Sequence, residues 1–118
     1  MIWIAVALGG AAGSVARHAV NARFGTAATP YATATVNILG SLLIGVLAGL
    51  QASGRLHLPA PARAFVYVGI LGGFTTFSSL MLDTLTLSRS APPLAAWNVA
   101  AQLVLGSIAV FSGYAAAR

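Results

Sequence analysis

The chain has 118 residues, the size of one domain, but its composition is not that of a soluble protein. Apolar residues make up 58% of it and charged residues 6%, against about 45–50% and about 25% in typical soluble domains. Such a chain has too few polar side chains to cover a soluble monomer and too many apolar ones to be disordered. It has no cysteine, which excludes disulfides and thiolate chemistry, and its single carboxylate, Asp83, excludes paired-carboxylate catalysis.

Four stretches of the chain are long and apolar enough to cross a bilayer, which takes about 20 residues. They cover about residues 2–20, 31–50, 64–87 and 94–117. The segments between them are short polar or Pro/Gly-rich turns with no room for an extramembrane domain. The sequence therefore predicts an all-α membrane protein, with one domain of four transmembrane helices over residues 1–118, and no enzyme.

Small residues recur at a spacing of four at the centres of two spans. Gly9-Gly10-Ala-Ala-Gly13 lies in span one, and Gly45-Val-Leu-Ala-Gly49 lies in span two. This spacing lets helix backbones approach closely in a membrane. We therefore expect tight helix packing at both motifs.

The charge pattern bears on orientation. The formal net charge of +5 comes from scattered arginines that never form a run, so it does not indicate nucleic-acid binding. With four spans, both termini lie on one side of the membrane, and each side carries three arginines: Arg55, Arg63 and Arg118 on the side of the termini, and Arg17, Arg23 and Arg89 on the other. The positive-inside rule then gives no preferred orientation. Two interpretations stay open: a weak topology signal, or a dual-topology protein that assembles as an antiparallel dimer.

Polar residues within spans two and four are candidates for function. In span two they are Thr33, Thr35, Asn37 and Ser41. Asn37 and Ser41 share one helix face, and the Asn37 carboxamide would either join helices or donate hydrogen bonds to an anion. In span four, Asn98 and Gln102 lie four residues apart on an otherwise apolar helix, where two amides could line an aqueous track.

Span three carries the densest polar motif. Gly72-Gly73 and Thr75-Thr76 are poor helix formers, so we expect the helix to break at the two glycines, near mid-membrane. Freed carbonyls cannot face lipid, but they are tolerated where they line a cavity or hold an ion. Ser78 and Ser79 add hydroxyls, and the alternative is a continuous helix whose hydroxyls bond to its own carbonyls. Phe77 either packs against lipid or protein, or turns its positive ring edge toward an anion.

Three motifs in order resemble the Fluc (CrcB) family of fluoride channels over the whole chain. They are Gly9-Gly10-Ala-Ala-Gly13-Ser-Val-Ala-Arg17, Thr35-Val36-Asn37-Ile-Leu-Gly40-Ser41, and Gly69-Ile-Leu-Gly72-Gly73-Phe74-Thr75-Thr76-Phe77-Ser78. The resemblance implies a multi-pass protein of the bacterial inner membrane, an antiparallel dual-topology homodimer with two pores. These pores would export cytoplasmic fluoride passively.

The resemblance also implies roles for individual residues. Asn37 and Phe77 would lie along the fluoride pore, with Arg17 at its vestibule. Weak donors along the path would be the hydroxyls and amides of Thr35, Ser41, Ser78, Ser79, Asn98 and Gln102. The backbone carbonyls of Gly72 and Thr75 would hold a structural Na⁺ at the centre of the dimer.

The sequence departs from the family pattern at several positions. Leu80 stands where the family has a second phenylalanine and Met81 where a polar residue often follows, while Asn98 and Gln102 replace its usual Tyr and Ser. A heterodimer with a paralogue is the alternative to self-pairing. Two other functions are the alternatives: a small multidrug-type proton-coupled antiporter, which needs an embedded carboxylate, and a non-transporting membrane partner subunit.

Overall fold

The structure, a computed structural model that describes residues 1–118, is entirely helical and 47 Å long. That length is close to the thickness of a bilayer with its headgroups, about 40–45 Å. The elements in chain order are α1 (Ile2–Phe24), a 3₁₀ turn (Thr26–Ala28), α2 (Thr29–Ala52), α3 (Ala60–Arg63), a π-helix (Ala64–Leu71), α4 (Gly72–Phe74), α5 (Phe77–Ser90) and α6 (Pro92–Ala117).

Three helical segments are long and apolar enough to cross a membrane, so the chain is a multi-pass membrane protein. They are Thr26–Ala52, Ala60–Ser90 and Pro92–Ala117. The remaining helix, α1, has 23 residues and is long enough to span, but its glycines, Ser14, Arg17 and His18 lower its hydropathy. The first predicted span, residues 2–20, therefore stays a prediction, whereas the other three are supported.

The glycines of α1 pack directly against the backbone of residues 60–74. Gly9 and Gly13 are buried. A Cβ atom built on Gly69 would lie 2.8 Å from the Cα atom of Gly9, and one on Gly73 would lie 2.6 Å from the carbonyl oxygen of Gly10. These distances leave no room for a side chain, so the predicted close packing at the first glycine motif is confirmed.

The second glycine motif lies in a long parallel contact between α2 and α6, in which Gly45 meets Val110 and Gly49 meets Tyr114. A Cβ atom on Gly49 would lie 2.5 Å from the carbonyl oxygen of Tyr114, and one on Gly113 would lie 2.5 Å from that of Leu42. The predicted tight packing at Gly45–Gly49 is confirmed. At the end of this pair, the guanidinium of Arg55 donates a hydrogen bond to the carbonyl oxygen of Ala117 and so ties the loop after α2 to the end of α6.

The third span is broken, but not at the expected residues. Gly72 and Gly73 are helical, and the break lies at Thr75 and Thr76, whose φ and ψ angles are −81° and 158°, and −155° and 114°. The prediction of a break is confirmed, whereas its placement at the two glycines is wrong. Gly73 serves close packing against α1, and glycine costs a helix only about 1 kcal/mol, so a helix held by neighbours runs through it.

The close contact of α1 predicts different effects for two glycines on that helix. A Cβ at Gly13 would overlap the carbonyl oxygen of Ile70, whereas one at Gly10 would meet no atom within 4 Å. We expect Gly13→Ala to lower the free energy of unfolding by about 1–3 kcal/mol through overpacking. We expect Gly10→Ala to be neutral or to add up to about 1 kcal/mol, because alanine favours helix. Thermal unfolding in detergent, followed by circular dichroism, measures both, and equal stability of the two variants would contradict this packing.

Candidate functional site

An open groove of about 390 Å³ runs along the break, between α2, α6 and the two halves of the third span. Its polar lining comes from Asn37, Ser41, Thr75, Thr76 and Gln102. Its apolar lining includes Leu71, Phe77, Leu80 and Leu103. No charged side chain lines this groove, so any ion inside it meets only neutral groups.

Asn37 holds the break with a two-point contact. Its Oδ1 atom accepts a hydrogen bond from the backbone N–H of Thr76 at 2.8 Å, and its Nδ2 atom donates one to the carbonyl oxygen of Thr76 at 3.1 Å. Both backbone groups of the extended residue are thereby satisfied, as a buried backbone requires. The sequence pointed to Asn37 as a polar residue in a span, but not to its partner on the third span.

The same carboxamide begins a chain of hydrogen bonds that crosses to α6. The Nδ2 atom of Asn37 donates to Oε1 of Gln102 at 2.8 Å, and Nε2 of Gln102 donates to Oδ1 of Asn98 at 3.0 Å. The Nδ2 atom of Asn98 then donates to Oγ1 of Thr84 at 3.1 Å, and that hydroxyl donates to the carbonyl oxygen of Leu80 at 2.7 Å. The chain links α2, α6 and α5, and it starts and ends on the third span.

Two backbone carbonyls at the break lack the partners that a continuous helix would give them. The carbonyl oxygen of Thr75 accepts no hydrogen bond. That of Gly72 loses its usual donor four residues on, because the N–H of Thr76 bonds to Asn37 instead. Both residues line the groove. Neutral carbonyl oxygens are ligands that suit a hard cation, and no group of three His, Cys, Asp or Glu side chains is placed to hold a metal.

Hydroxyl groups cap the start of α5. The Oγ1 atom of Thr76 accepts a hydrogen bond from the backbone N–H of Ser79 at 3.2 Å and lies 3.0 Å from Oγ of Ser79 and 3.3 Å from Oγ of Ser78. This is an N-cap, which stabilises the first turn of the resumed helix. The hydroxyl of Thr75 instead bonds back to the carbonyl oxygen of Leu71 at 2.9 Å, as the alternative interpretation of the motif expected for these side chains.

The structure brings together some of the predicted site residues and leaves others apart. Asn37, Ser41, Gly72, Thr75, Phe77 and Gln102 line the groove, whereas Thr35, Ser78, Ser79, Asn98 and Arg17 do not. The hydroxyl of Thr35 bonds to the carbonyl oxygen of Tyr31 at 2.8 Å, and Arg17 is half-buried on α1. Their predicted roles in fluoride transport stay predictions.

Phe77 and Gly72 lie on the outside of the molecule. The Phe77 side chain is 69% exposed, although it follows directly on the buried Thr76, and Gly72 is exposed as well. The groove is therefore open on the side where these two residues lie.

Asp83, the single carboxylate of the chain, lies in the middle of α5. Helix α5 continues seven residues past it, and the carboxylate is buried, where it accepts a hydrogen bond from the hydroxyl of Thr33 at 2.6 Å. Thr33 lies one helical turn before Asn37 on the same face of α2. The sequence shows that Thr33 and Asn37 share one face of α2. It does not indicate that the Thr33 side chain contacts α5.

Comparison with known proteins gives one consistent match over nearly the whole chain. A family model described as "CrcB-like protein, Camphor Resistance (CrcB)" matches residues 4–114. A protein of Rhodospirillum centenum is 48% identical over 98% of this chain and 94% of its own length. Proteins of Opitutus terrae (45% over 98% of this chain and 92% of its own) and Agrobacterium fabrum (47% over 96% and 93%) are also similar. All three are named "Fluoride-specific ion channel FluC". By this match, the chain belongs to the CrcB-like, camphor-resistance family of membrane proteins.

Proposed function

We propose that this protein is a fluoride channel through which cytoplasmic fluoride leaves a bacterium passively across the inner membrane, and that it is not an enzyme. The observation that carries the proposal is the near full-length similarity, at 45–48% identity, to proteins named fluoride-specific ion channels. In acidic surroundings fluoride is protonated to neutral HF, which crosses the membrane into the cell. There it dissociates, and fluoride is trapped in the cytoplasm as an anion. An open anion pathway then lets the inside-negative membrane potential drive it out.

The chemistry of the groove supports passage of a small anion. Its polar groups are neutral amides and hydroxyls, and no Lys or Arg lines it to hold an anion too tightly. Conduction needs sites that bind weakly enough to release the ion. The exposed ring of Phe77 has a positive edge that can face an anion without capturing it.

A second copy of the chain, inserted in the opposite orientation, would complete the groove. Four spans including α1, with three arginines at each end, support insertion in both orientations. The open side of the groove and the exposed Phe77 support a partner at that face. We therefore include an antiparallel dual-topology homodimer in the proposal, and a paralogous partner is the alternative.

The proposal also includes a structural Na⁺ at the centre of that dimer. The unpaired carbonyl of Thr75 and the carbonyl of Gly72 support it, since neutral oxygens that converge in a dry interior are stabilised by a cation. Two carbonyls from each of two subunits would make four hard, uncharged ligands. Such a set suits a monovalent ion better than Mg²⁺, which usually keeps waters and carboxylates.

Fluoride efflux from liposomes tests the central proposal. Purified protein should release fluoride from loaded vesicles and should not release chloride at a comparable rate. Phe77→Ala should slow fluoride efflux by about tenfold or more, equivalent to about 1.4 kcal/mol of barrier. Phe111→Ala is the matched control, because Phe111 is 74% exposed on α6 and lies outside the groove. Absence of fluoride efflux from the unmodified protein would refute a channel function and leave the partner-subunit alternative, whereas pH-coupled drug exchange would indicate the antiporter.

Dual topology is tested by biasing the charge. His57→Lys with Ala60→Lys adds two cations on the side of the termini, and Thr26→Lys with Ser90→Lys adds two on the other side, all at exposed positions. Each double variant alone should insert in one orientation and lose most fluoride efflux, since no antiparallel partner forms. Co-expression of the two should restore efflux. Full activity of either variant alone would contradict dual topology.

The proposed Na⁺ site is tested by substitution of Gly72, because the single chain has room for a larger side chain at this position. A Cβ atom there meets only the carbonyl oxygen of Tyr67, at 3.7 Å. Gly72→Val should therefore leave each protomer folded but crowd the proposed two-fold axis, abolish dimers in size-exclusion chromatography and remove any rise in unfolding temperature caused by Na⁺. Thr75→Ser keeps the backbone carbonyl and should retain both properties. A Gly72→Val protein that still dimerises and still responds to Na⁺ would place the cation elsewhere.

A further inference from the structure

The hydrogen-bond chain through α6 has only one possible direction. The backbone N–H of Thr76 can only donate, so the oxygen of the Asn37 carboxamide must face it, and the nitrogen must face the carbonyl oxygen of Thr76 and Gln102. Gln102 must then present its oxygen to Asn37 and its nitrogen to Asn98. Asn98 in turn presents its oxygen to Gln102 and its nitrogen to Thr84.

From this fixed direction we propose that Gln102, oriented by Asn98, is a positioning residue that locks the Asn37 carboxamide in the orientation that holds Thr76 extended. Gln102 touches no ion in this role; it acts through Asn37. Its own oxygen points at Asn37 because its nitrogen is engaged with Asn98. An amide free to rotate by 180° would present a nitrogen to the N–H of Thr76, which is a donor facing a donor, and the two-point contact would be lost.

Burial of the two amides supports this role. Asn98 and Gln102 are 8% and 6% exposed, on a helix that is otherwise apolar at its centre. A buried polar group without partners costs stability, and each unsatisfied group costs about 1–3 kcal/mol by itself. Here both amides are engaged at both ends, by Asn37 on one side and Thr84 on the other. A buried network in which one amide lacks a partner is less stable, so we expect removal of one member to weaken the neighbouring hydrogen bonds as well.

Selective labelling makes the proposal directly measurable, because the chain contains only three asparagines: Asn21, Asn37 and Asn98. Protein with ¹⁵N-asparagine in detergent micelles gives three side-chain carboxamide signals, which single Asn→Ser variants assign. Both hydrogens of the Asn37 carboxamide should be protected from exchange with solvent. In Gln102→Met, one of them loses its partner, so its chemical shift should move and its protection should fall by about tenfold or more, as loss of one buried hydrogen bond allows.

Gln51→Met is the matched control. It removes the only other glutamine carboxamide of the chain, which accepts a hydrogen bond from the hydroxyl of Tyr67 at 2.9 Å, outside the chain described above. It should leave the Asn37 signal unchanged. If Gln102→Met also leaves that signal and its protection unchanged in folded protein, Gln102 does not position Asn37.

Gln102→Glu separates positioning from general loss of packing, and it serves if Gln102→Met does not fold. At a pH at which the new carboxyl group is ionised, it keeps an oxygen facing Asn37 but cannot donate to Asn98. The Asn37 signal should therefore stay near its position in the unmodified protein, while the Asn98 carboxamide signal moves. A shift of Asn37 without a shift of Asn98 would overturn the proposed direction of the chain.

The consequence for transport rests on the proposed function. If the protein is a fluoride channel, Gln102→Met should slow fluoride efflux from liposomes by about tenfold, and Gln51→Met should not. Failure of the channel proposal and failure of the positioning proposal give different results. Unmodified protein without fluoride efflux but with the expected signals would refute the channel and leave the positioning role intact. Normal efflux from a Gln102→Met protein with a shifted Asn37 signal would show that the locked amide has no part in transport.

Discussion

The contact between Asn37 and Thr76 is the interaction on which the rest of the site depends. A helix that breaks inside a bilayer frees backbone groups that water cannot reach, and each one left unpaired is costly. The carboxamide of Asn37 supplies both a donor and an acceptor to a single extended residue, as a neighbouring strand would. Because the N–H of Thr76 is turned to Asn37, the carbonyl of Gly72 loses its helical donor. The carbonyl of Thr75 loses its own because the N–H of Ser79 bonds to the Thr76 hydroxyl, and both residues line the groove.

This contact needs helices that lie unusually close together. Asparagine and glutamine side chains are short, and they bridge α2, α6 and the third span only because glycines let the backbones touch. Gly45, Gly49 and Gly113 bring α2 against α6, and a Cβ on Gly40 would run into the side chain of Thr75. The small residues therefore do more than assemble the bundle: they set the distance at which a two-point amide contact forms.

Much of the architecture follows from local sequence, and what does not is the pairing between spans. Hydropathy predicts the helices, the glycine spacing predicts the tight contacts, and the Gly72–Thr76 composition predicts a break. The break falls at the threonines because its position is decided by Asn37, a residue 39 positions away in the chain. The burial of Asp83 against Thr33 has the same origin. Periodicity shows which face of a helix is polar, but it does not encode the register between two helices.

The distribution of charge explains how such a site can be both stable and permeable. The one carboxylate of the chain is bonded to Thr33 away from the groove, and no arginine lines the groove. The polarity of the groove is thus carried by amides and hydroxyls, many of which are hydrogen-bonded to one another, so no charge is buried in the groove itself. Neutral groups that are already hydrogen-bonded bind an incoming anion only weakly, since it must compete with Gln102 for the N–H of Asn37 or use the hydroxyls that remain. An anion held this weakly is released again quickly, and weak binding of this kind is what conduction requires.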